Sequence, residues 1–374
     1  MNHMLAQTKS LPELIRSEFS GLDNNVRAAF SEGELRKVER IFVTGCGDSY
    51  YAGIAAKLAL KMWTGLSVEV ASSLSAGRYD FPYVPNVNKD NALFFEISVS
   101  GGVSRTIEAL KIANEVGGKT VAITGNEGSP LAQASDRIIN CAIPDFPPSP
   151  GIRTYQISML VLYLVGIQIA RVQGRISSKE AESLKAELLA AADVIEETIM
   201  KNDSKIYQLA ETLKSKTTFH FVSHGPNLGT AYFSAAKLVE SAGCYATGQD
   251  TEEWAHIEHY NDVIADVPTF VISPGYRTHG LAAEFAVHMK RLQRYIVAVT
   301  PEKDDKIAPL ANLHLPVVGK VREELSPFVY MLAGELFSAY FADVTGQAFF
   351  REGVDRYANV GDHRKTSIAS LSDL

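Results

Sequence analysis

Arg40-Ile41-Phe42-Val43-Thr44-Gly45-Cys46-Gly47-Asp48-Ser49-Tyr50 is the stretch whose reading decides the fold. Ile41 to Thr44 reads as a buried strand. Gly45 and Gly47 turn the chain, and a helix is expected from about Tyr50 to Trp63, with Ala52, Ile54, Ala55, Leu58 and Ala59 near the helical period. A strand that stops at glycines just before a helix directs free backbone N–H groups and the positive end of the helix dipole to one point. Glycine lets an anion approach the backbone closely, and Ser49 adds a hydroxyl donor. An ordinary α/β turn without a ligand has the same appearance, so the neighbouring segments have to decide.

The chain has 374 residues, 46% hydrophobic, with a formal net charge of −7 and no block of like charge. This suits two globular domains and excludes disordered and fibrous classes. No nucleic-acid footprint is expected. Net acidity does not exclude an anionic substrate, because local dipoles make a small phosphate site. Cys46, Cys141 and Cys244 are far apart and show no metal or redox spacing, which fits a reducing, cytoplasmic setting. The amino-terminal residues contain no apolar signal core. The run Ile157 to Ala170 is short for a bilayer and includes Ser158 and Gln168, so it is expected as a buried helix, with no membrane partner.

Working outward, residues Leu11 to Ser31 read as a helix ahead of the first strand. Val68 to Val70 is a short strand candidate, and Phe81 to Lys89 a loop. Ala92 to Ser98 is a second buried strand, followed by Val99-Ser100-Gly101-Gly102-Val103-Ser104-Arg105-Thr106 and a helix to about Val116. Thr120 to Thr124 and Arg137 to Ala142 are further strands, and Thr154 to Val172 is a long helix. Helical connectors are expected over Lys179 to Met200 and Ser204 to Ser215. Strands alternating with helices imply parallel βαβ units in a three-layer, doubly wound sheet, whose ligands bind at the carboxyl ends of the strands.

The pattern then starts again. Phe42 to Leu58 aligns with Phe221 to Leu238 with one extra residue, Phe95 to Ser98 with Phe270 to Ser273, and Thr120 to Thr124 with Ile296 to Thr300. The expected fold class is therefore α/β, with two tandem three-layer domains. Their expected limits are residues 1–175, with the N-terminal helix, and 176–345, with the connector, followed by a polar tail over 346–374.

The two turns of the first half offer short hydroxyls and backbone N–H groups suited to a phosphate on a small molecule. No Gly-Lys-Ser/Thr follows, so this is not a Walker loop, and no Gly-x-Gly-x-x-Gly follows the first strand. The order strand–Gly-Cys-Gly-x-Ser–helix, then strand–Ser-x-Ser-Gly–helix, in tandem, resembles the sugar isomerase (SIS) domain family. It is similar in particular to the isomerase half of the glucosamine-fructose-6-phosphate aminotransferases, over about residues 35 to 345.

The resemblance implies that Cys46, Gly47, Ser49, Ser98 and Ser100 hold a sugar phosphate, with Asp48 and Val99 in the same turns. Asp48 stands where the family usually has threonine, and Gly102-Val103 where it has Glu-Thr, so Ser104 or Thr106 would supply the missing hydroxyl. Arg153, in Ser149-Pro150-Gly151-Ile152-Arg153, would supply positive charge. The resemblance further implies Glu240 as the residue that moves a proton between C1 and C2, Lys237 as its neighbour, and His256 as the residue that assists ring opening. Lys365, in the tail Asn359-Val360-Gly361-Asp362-His363-Arg364-Lys365, is the nearest match to a lysine that closes over the sugar; a frayed terminus is the alternative. One carboxylate can perform both proton transfers of an aldose–ketose interconversion, and histidine titrates near neutrality.

No cofactor or metal is expected. Glu252, Glu253, Glu258, His259 and Asp262 near His256 suggest a metal cluster, but a solvated helix face is the commoner meaning of such a run. The first α/β domain begins by about residue 38, so no glutaminase activity is expected. The expected function is a phosphosugar isomerase or deaminase acting on a hexose or hexosamine 6-phosphate, with a homodimer implied by the family. A deglycase acting on sugar-phosphate adducts and a non-catalytic phosphosugar regulator are the alternatives.

Overall fold

The computed structural model describes residues 2–261, 267–358 and 360–374. In chain order, α1 (His3–Lys9) and α2 (Leu11–Ala28) precede β1 (Arg40–Gly45) and α3 (Asp48–Thr64). β2 (Ser67–Ser72), β3 (Ala92–Ile97), α4 (Ser104–Glu115), β4 (Lys119–Thr124), β5 (Arg137–Asn140) and α5 (Arg153–Val172) follow. Next come α6 (Ser178–Leu213), β6 (Thr218–Ser223), α7 (Asn227–Ala242), β7 (Tyr245–Asp250) and α8 (Thr251–Ile257). β8 (Thr269–Ile272), α9 (His279–Arg291), β9 (Ile296–Pro301), β10 (Leu313–Val317) and α10 (Leu332–Thr345) complete the main elements.

Two parallel five-stranded sheets result, ordered β2-β1-β3-β4-β5 and β10-β9-β8-β6-β7. Read from β7, the second sheet repeats the topology of the first. In the first, Phe42 stacks on Phe94 at 4.4 Å, with Phe81 edge-on, over Ala109 and Ile112 of α4. In the second, Phe221 stacks on Phe270 at 4.7 Å, while Val222, Trp254, Val271 and Ala298 form a cluster with α9. Strands buried on both faces need such continuous apolar runs.

The alignment of the first strand–helix pair differs from the sequence expectation, whereas Ser98 and Ser273 occupy matching places, their N–H groups donating to the Ile123 and Val299 carbonyls. The same interval separates Arg40 from Thr218, each opening its strand, Gly47 from Gly225, both at positive φ, and Gly65 from Gly243, both left-handed helix caps. No residue is inserted between these landmarks. The apolar identities that suggested a shifted alignment are matches of composition.

The compact units also differ from sequential halves. The unit built on the first sheet comprises Ile15–Asp145, Thr154–Leu189 and Val360–Leu374; the other comprises Met1–Leu14, Phe146–Arg153 and Ala190–Asn359. Asn2 explains part of this, since its amide donates to the Ala339 carbonyl at 2.7 Å and accepts from Leu5 N–H as the α1 cap.

One long helix, α6, replaces the two expected connectors. The break was expected near Lys201-Asn202-Asp203, but Asn202 is buried, and its side chain donates to the Thr198 and Pro316 carbonyls at 2.9 and 2.8 Å. Its amide N–H groups are used within and beside the helix, so the residue does not interrupt it. α5 has the length and composition to cross a membrane, yet 89% of its most apolar window is buried inside the protein, which is the behaviour of a core helix.

Candidate functional site

The first sheet sets the two glycine turns side by side. β1 pairs with β3, Gly45 opposite Ile97, so the turns at Cys46 and Ser98 leave neighbouring strands at the same end. Each runs into a helix, α3 at Asp48 and α4 at Ser104, whose first-turn N–H groups lack intrahelical partners. Gly45 is required there: a Cβ would lie 2.6 Å from Ser49 Cβ and 2.8 Å from the Ser49 carbonyl carbon. Gly101 has φ +65°, and a Cβ on it would meet Ser129 Oγ at 2.0 Å. The second turn is pinned by the Val99 carbonyl, which accepts from Gly125 N–H at 3.0 Å and from Thr124 Oγ1 at 3.2 Å.

Cys46, Asp48 and Ser49 are half-buried, Gly47 and Ser100 exposed, and Ser98 buried. Burial pushes the Cys46 thiol up from its ordinary value. Asp48 occupies the first turn of α3, where the helix dipole favours a carboxylate. Thr106 is turned the other way: it is buried, and its hydroxyl donates to the Val103 carbonyl at 2.8 Å.

The carboxyl-terminal segment docks on the second turn instead of fraying. Ser104 N–H donates to the Arg364 carbonyl, and Thr366 N–H to Ser104 Oγ, each at 3.0 Å. Arg105 binds the Ser367 carbonyl, and Ala369 N–H donates to Glu108 Oε2 at 2.6 Å. Lys365 lies exposed between the two residues that bond Ser104.

The other unit carries the remaining candidates. On α7, Lys237 is fully buried; its Nζ lies 2.6 Å from Glu240 Oε2 and 5.0 Å from the centre of the Phe233 ring. Glu240 keeps about a third of its side chain exposed, 34%. His256, on α8, is 68% exposed and pairs with Glu252 at 3.0 Å. α7 and α8 both pack on β7. Arg153 is buried with its guanidinium on Ser10 Oγ at 2.9 Å and over the Phe146 ring, so its contacts are with α1's neighbourhood. Asp262 lies outside the described residues; among those described, no three His, Cys, Asp or Glu side chains gather as a metal site.

Two clusters were not foreseen. Ser273 Oγ lies 2.8 Å from His279 Nδ1, and His279 Nε2 lies 2.9 Å from Asp304 Oδ1. The order resembles a nucleophile relay, but Ser273 is fully buried, and Asp304 also accepts N–H bonds from Lys306, Ile307 and Ala308. It is a structural tie, and its members are too scattered in sequence to announce it. The second is Glu96, a carboxyl beneath the first turn; its signal was a charged residue within Ala92-Leu93-Phe94-Phe95-Glu96-Ile97.

The family comparison meets this geometry at the first sheet. Residues 34–166 match the SIS domain family. The chain is related to the glutamine–fructose-6-phosphate aminotransferases: it is 27% identical over 347 residues to that of Thermotoga maritima, covering 90% of this chain and 55% of the relative. It is 26% identical over 346 residues to that of Thermococcus kodakarensis, covering 92% and 55%. The chain thus spans about half the length of the curated relatives it matches. Among solved structures, the C-terminal domain of glucosamine-fructose-6-phosphate aminotransferase from Francisella tularensis has the same fold, with TM-score 0.77 at 19% identity over 92% of this chain and 96% of that one. Glucosamine-6-phosphate deaminase from Thermotoga maritima gives TM-score 0.70 at 16% identity over 94% and 97%. Both SIS turns, at Cys46 and at Ser98, fall inside the matched segment.

Proposed function

We propose that the protein is a SIS-type enzyme acting on a hexose or hexosamine 6-phosphate by proton transfer between C1 and C2, as an isomerase or a deaminase. The observation that carries this reading is the pairing of β1 with β3, which joins two hydroxyl-lined turns and two helix N-termini in one place. Converging N–H groups and hydroxyls suit a phosphate monoester. The Cys46, Gly47 and Ser49 turn and the Ser98, Val99 and Ser100 turn hold the phosphate in this reading. Asp48 remains beside them in the first turn of α3, and Thr106 supports the turn from behind.

Glu240 is the proton carrier. Lys237 holds its carboxylate in one orientation, which proton transfer at carbon requires. His256 assists ring opening, and Lys365 closes on the sugar from the docked tail. The exposure of His256, and of Ile257 and Tyr260 beside it, supports a homodimer in which a second copy covers this segment. Relatives named for fructose 6-phosphate and a neighbour named for glucosamine-6-phosphate deamination support the substrate class. Incubation with fructose 6-phosphate and with glucosamine 6-phosphate, assayed for aldose formation and for released ammonia, separates the two reactions. Absence of both would count against the reading.

A further inference from the structure

Glu96 is 2% exposed, in the middle of β3, on the face it shares with Thr44 of β1. Ser73 Oγ lies 2.5 Å from Glu96 Oε1, and Thr44 Oγ1 is hydrogen-bonded to Glu96 Oε2. Thr44 Oγ1 also lies 3.2 Å from the Phe95 carbonyl. Thr44 has one hydroxyl proton for these two oxygens, both of which only accept if the carboxyl is ionised. With a proton on Glu96 Oε2 the conflict disappears: the acid donates to Thr44, and Thr44 donates to Phe95. Ser73 follows Ser72, which pairs with Gly45 across β2 and β1, and Thr44 directly precedes Gly45, so the acid is tied to the start of the phosphate turn.

The second sheet has no such group. Ser98 N–H donates to the Ile123 carbonyl and Ser273 N–H to that of Val299, which matches Glu96 with Val271. The carboxyl is therefore an addition to the first turn, not a demand of the fold.

We propose that Glu96 is a positioning residue for the ligand phosphate: as the neutral acid it holds the Gly45–Ser49 turn through Thr44 and Ser73, and as a carboxylate it repels the phosphate above it. This rests on the phosphate reading of that turn. Burial works in the same direction, pushing the Glu96 carboxyl up to about 8. The titratable and charged groups on the elements covering this face are Cys46 and Asp48 in the turn, Arg78, Tyr79 and Asp80 in the helical turn Ala76–Asp80, and Arg105, Glu108, Lys111 and Glu115 on α4. Arg78 and Arg105 are both paired with Glu108. Burial raises the Cys46 thiol from its ordinary value, away from the neutral range.

The test is calorimetric binding of fructose 6-phosphate, glucosamine 6-phosphate and inorganic phosphate to the full chain between about pH 7 and pH 9. The pH profile is read from fructose 6-phosphate, a phosphate monoester that is already largely dianionic over this range. Wild-type affinity should fall about tenfold across the range, with proton uptake on binding, whereas Glu96→Gln should change by less than about twofold. Infrared spectra of the free protein at pH 7 should show a neutral carboxylic-acid carbonyl band that Glu96→Gln removes. Glu96→Val, copying Val271, serves if the glutamine variant does not fold. Binding with no proton uptake, a pH profile unchanged by either variant, or an absent carboxylic-acid band would overturn this inference alone. If none of the three ligands bound wild type at any pH, the phosphate reading and this inference would both fall.

Discussion

Lys237 Nζ lies 2.6 Å from Glu240 Oε2, and the lysine has no exposed side-chain surface. A buried ammonium held by a partly exposed carboxylate fixes that carboxylate more firmly than an exposed ion pair would. Glu240→Gln keeps the shape and a hydrogen-bond acceptor for Lys237 but removes the base. Turnover of fructose 6-phosphate or glucosamine 6-phosphate should fall by roughly 10²–10⁴-fold, the usual range for a lost acid–base group. Phosphosugar affinity should change by less than about threefold, as measured by titration calorimetry.

Lys237→Ala should act on stability first. It removes a fully buried side chain whose Nζ lies over the Phe233 ring and leaves a cavity, at a cost of about 2–5 kcal/mol. Chemical denaturation should show a lower midpoint with an unchanged slope.

The turns predict a sharper distinction. Gly45→Ala forces a Cβ into Ser49, so the turn must shift, at a cost of about 1–3 kcal/mol. Ser49→Ala removes only a hydroxyl and should raise KM by about tenfold with little change in melting temperature. Equal effects of the two substitutions on stability would contradict the description of the turn.

Much of this was legible in the strand–glycine–helix stretch beginning at Arg40, because a buried strand and its turn residues are local features. The parallel sheets followed from strands alternating with helices. β7, Tyr245-Ala246-Thr247-Gly248-Gln249-Asp250, was missed, because an edge strand has little apolar signal. The long α6 was divided at Asn202 because a polar residue looks like a break until its partner, the distant Pro316 carbonyl, is known. The docked tail was invisible for the same reason: its bonds to Ser104 and Glu108 join residues far apart in the chain.

Removal of residues 362–374 should therefore destabilise the unit built on the first sheet. Arg364, Thr366, Ser367 and Ala369 all bond α4, so the deletion leaves Ser104 and Glu108 without those partners. A loss of about 1–3 kcal/mol is expected. Hydrogen exchange should quicken at the start of α4.

Glu96 gives stability its own pH dependence. An unfolded glutamate titrates near about 4.3, whereas burial pushes Glu96 up to about 8. Between those values the folded state holds more protons than the unfolded one, so raising pH lowers stability. The contribution is complete below about pH 4.3 and is lost as pH rises through about 8. Relative to Glu96→Gln, the wild-type melting temperature should decline from roughly pH 5 to roughly pH 8.

The most direct test is proton NMR of fructose 6-phosphate incubated in D2O with the wild type and with Glu240→Gln. Proton transfer between C1 and C2 predicts deuterium entering the sugar at those carbons with the wild type, and at least about a hundredfold slower entry with the variant. Tight binding with no deuterium uptake by the wild type, or equal uptake with both proteins, would contradict it.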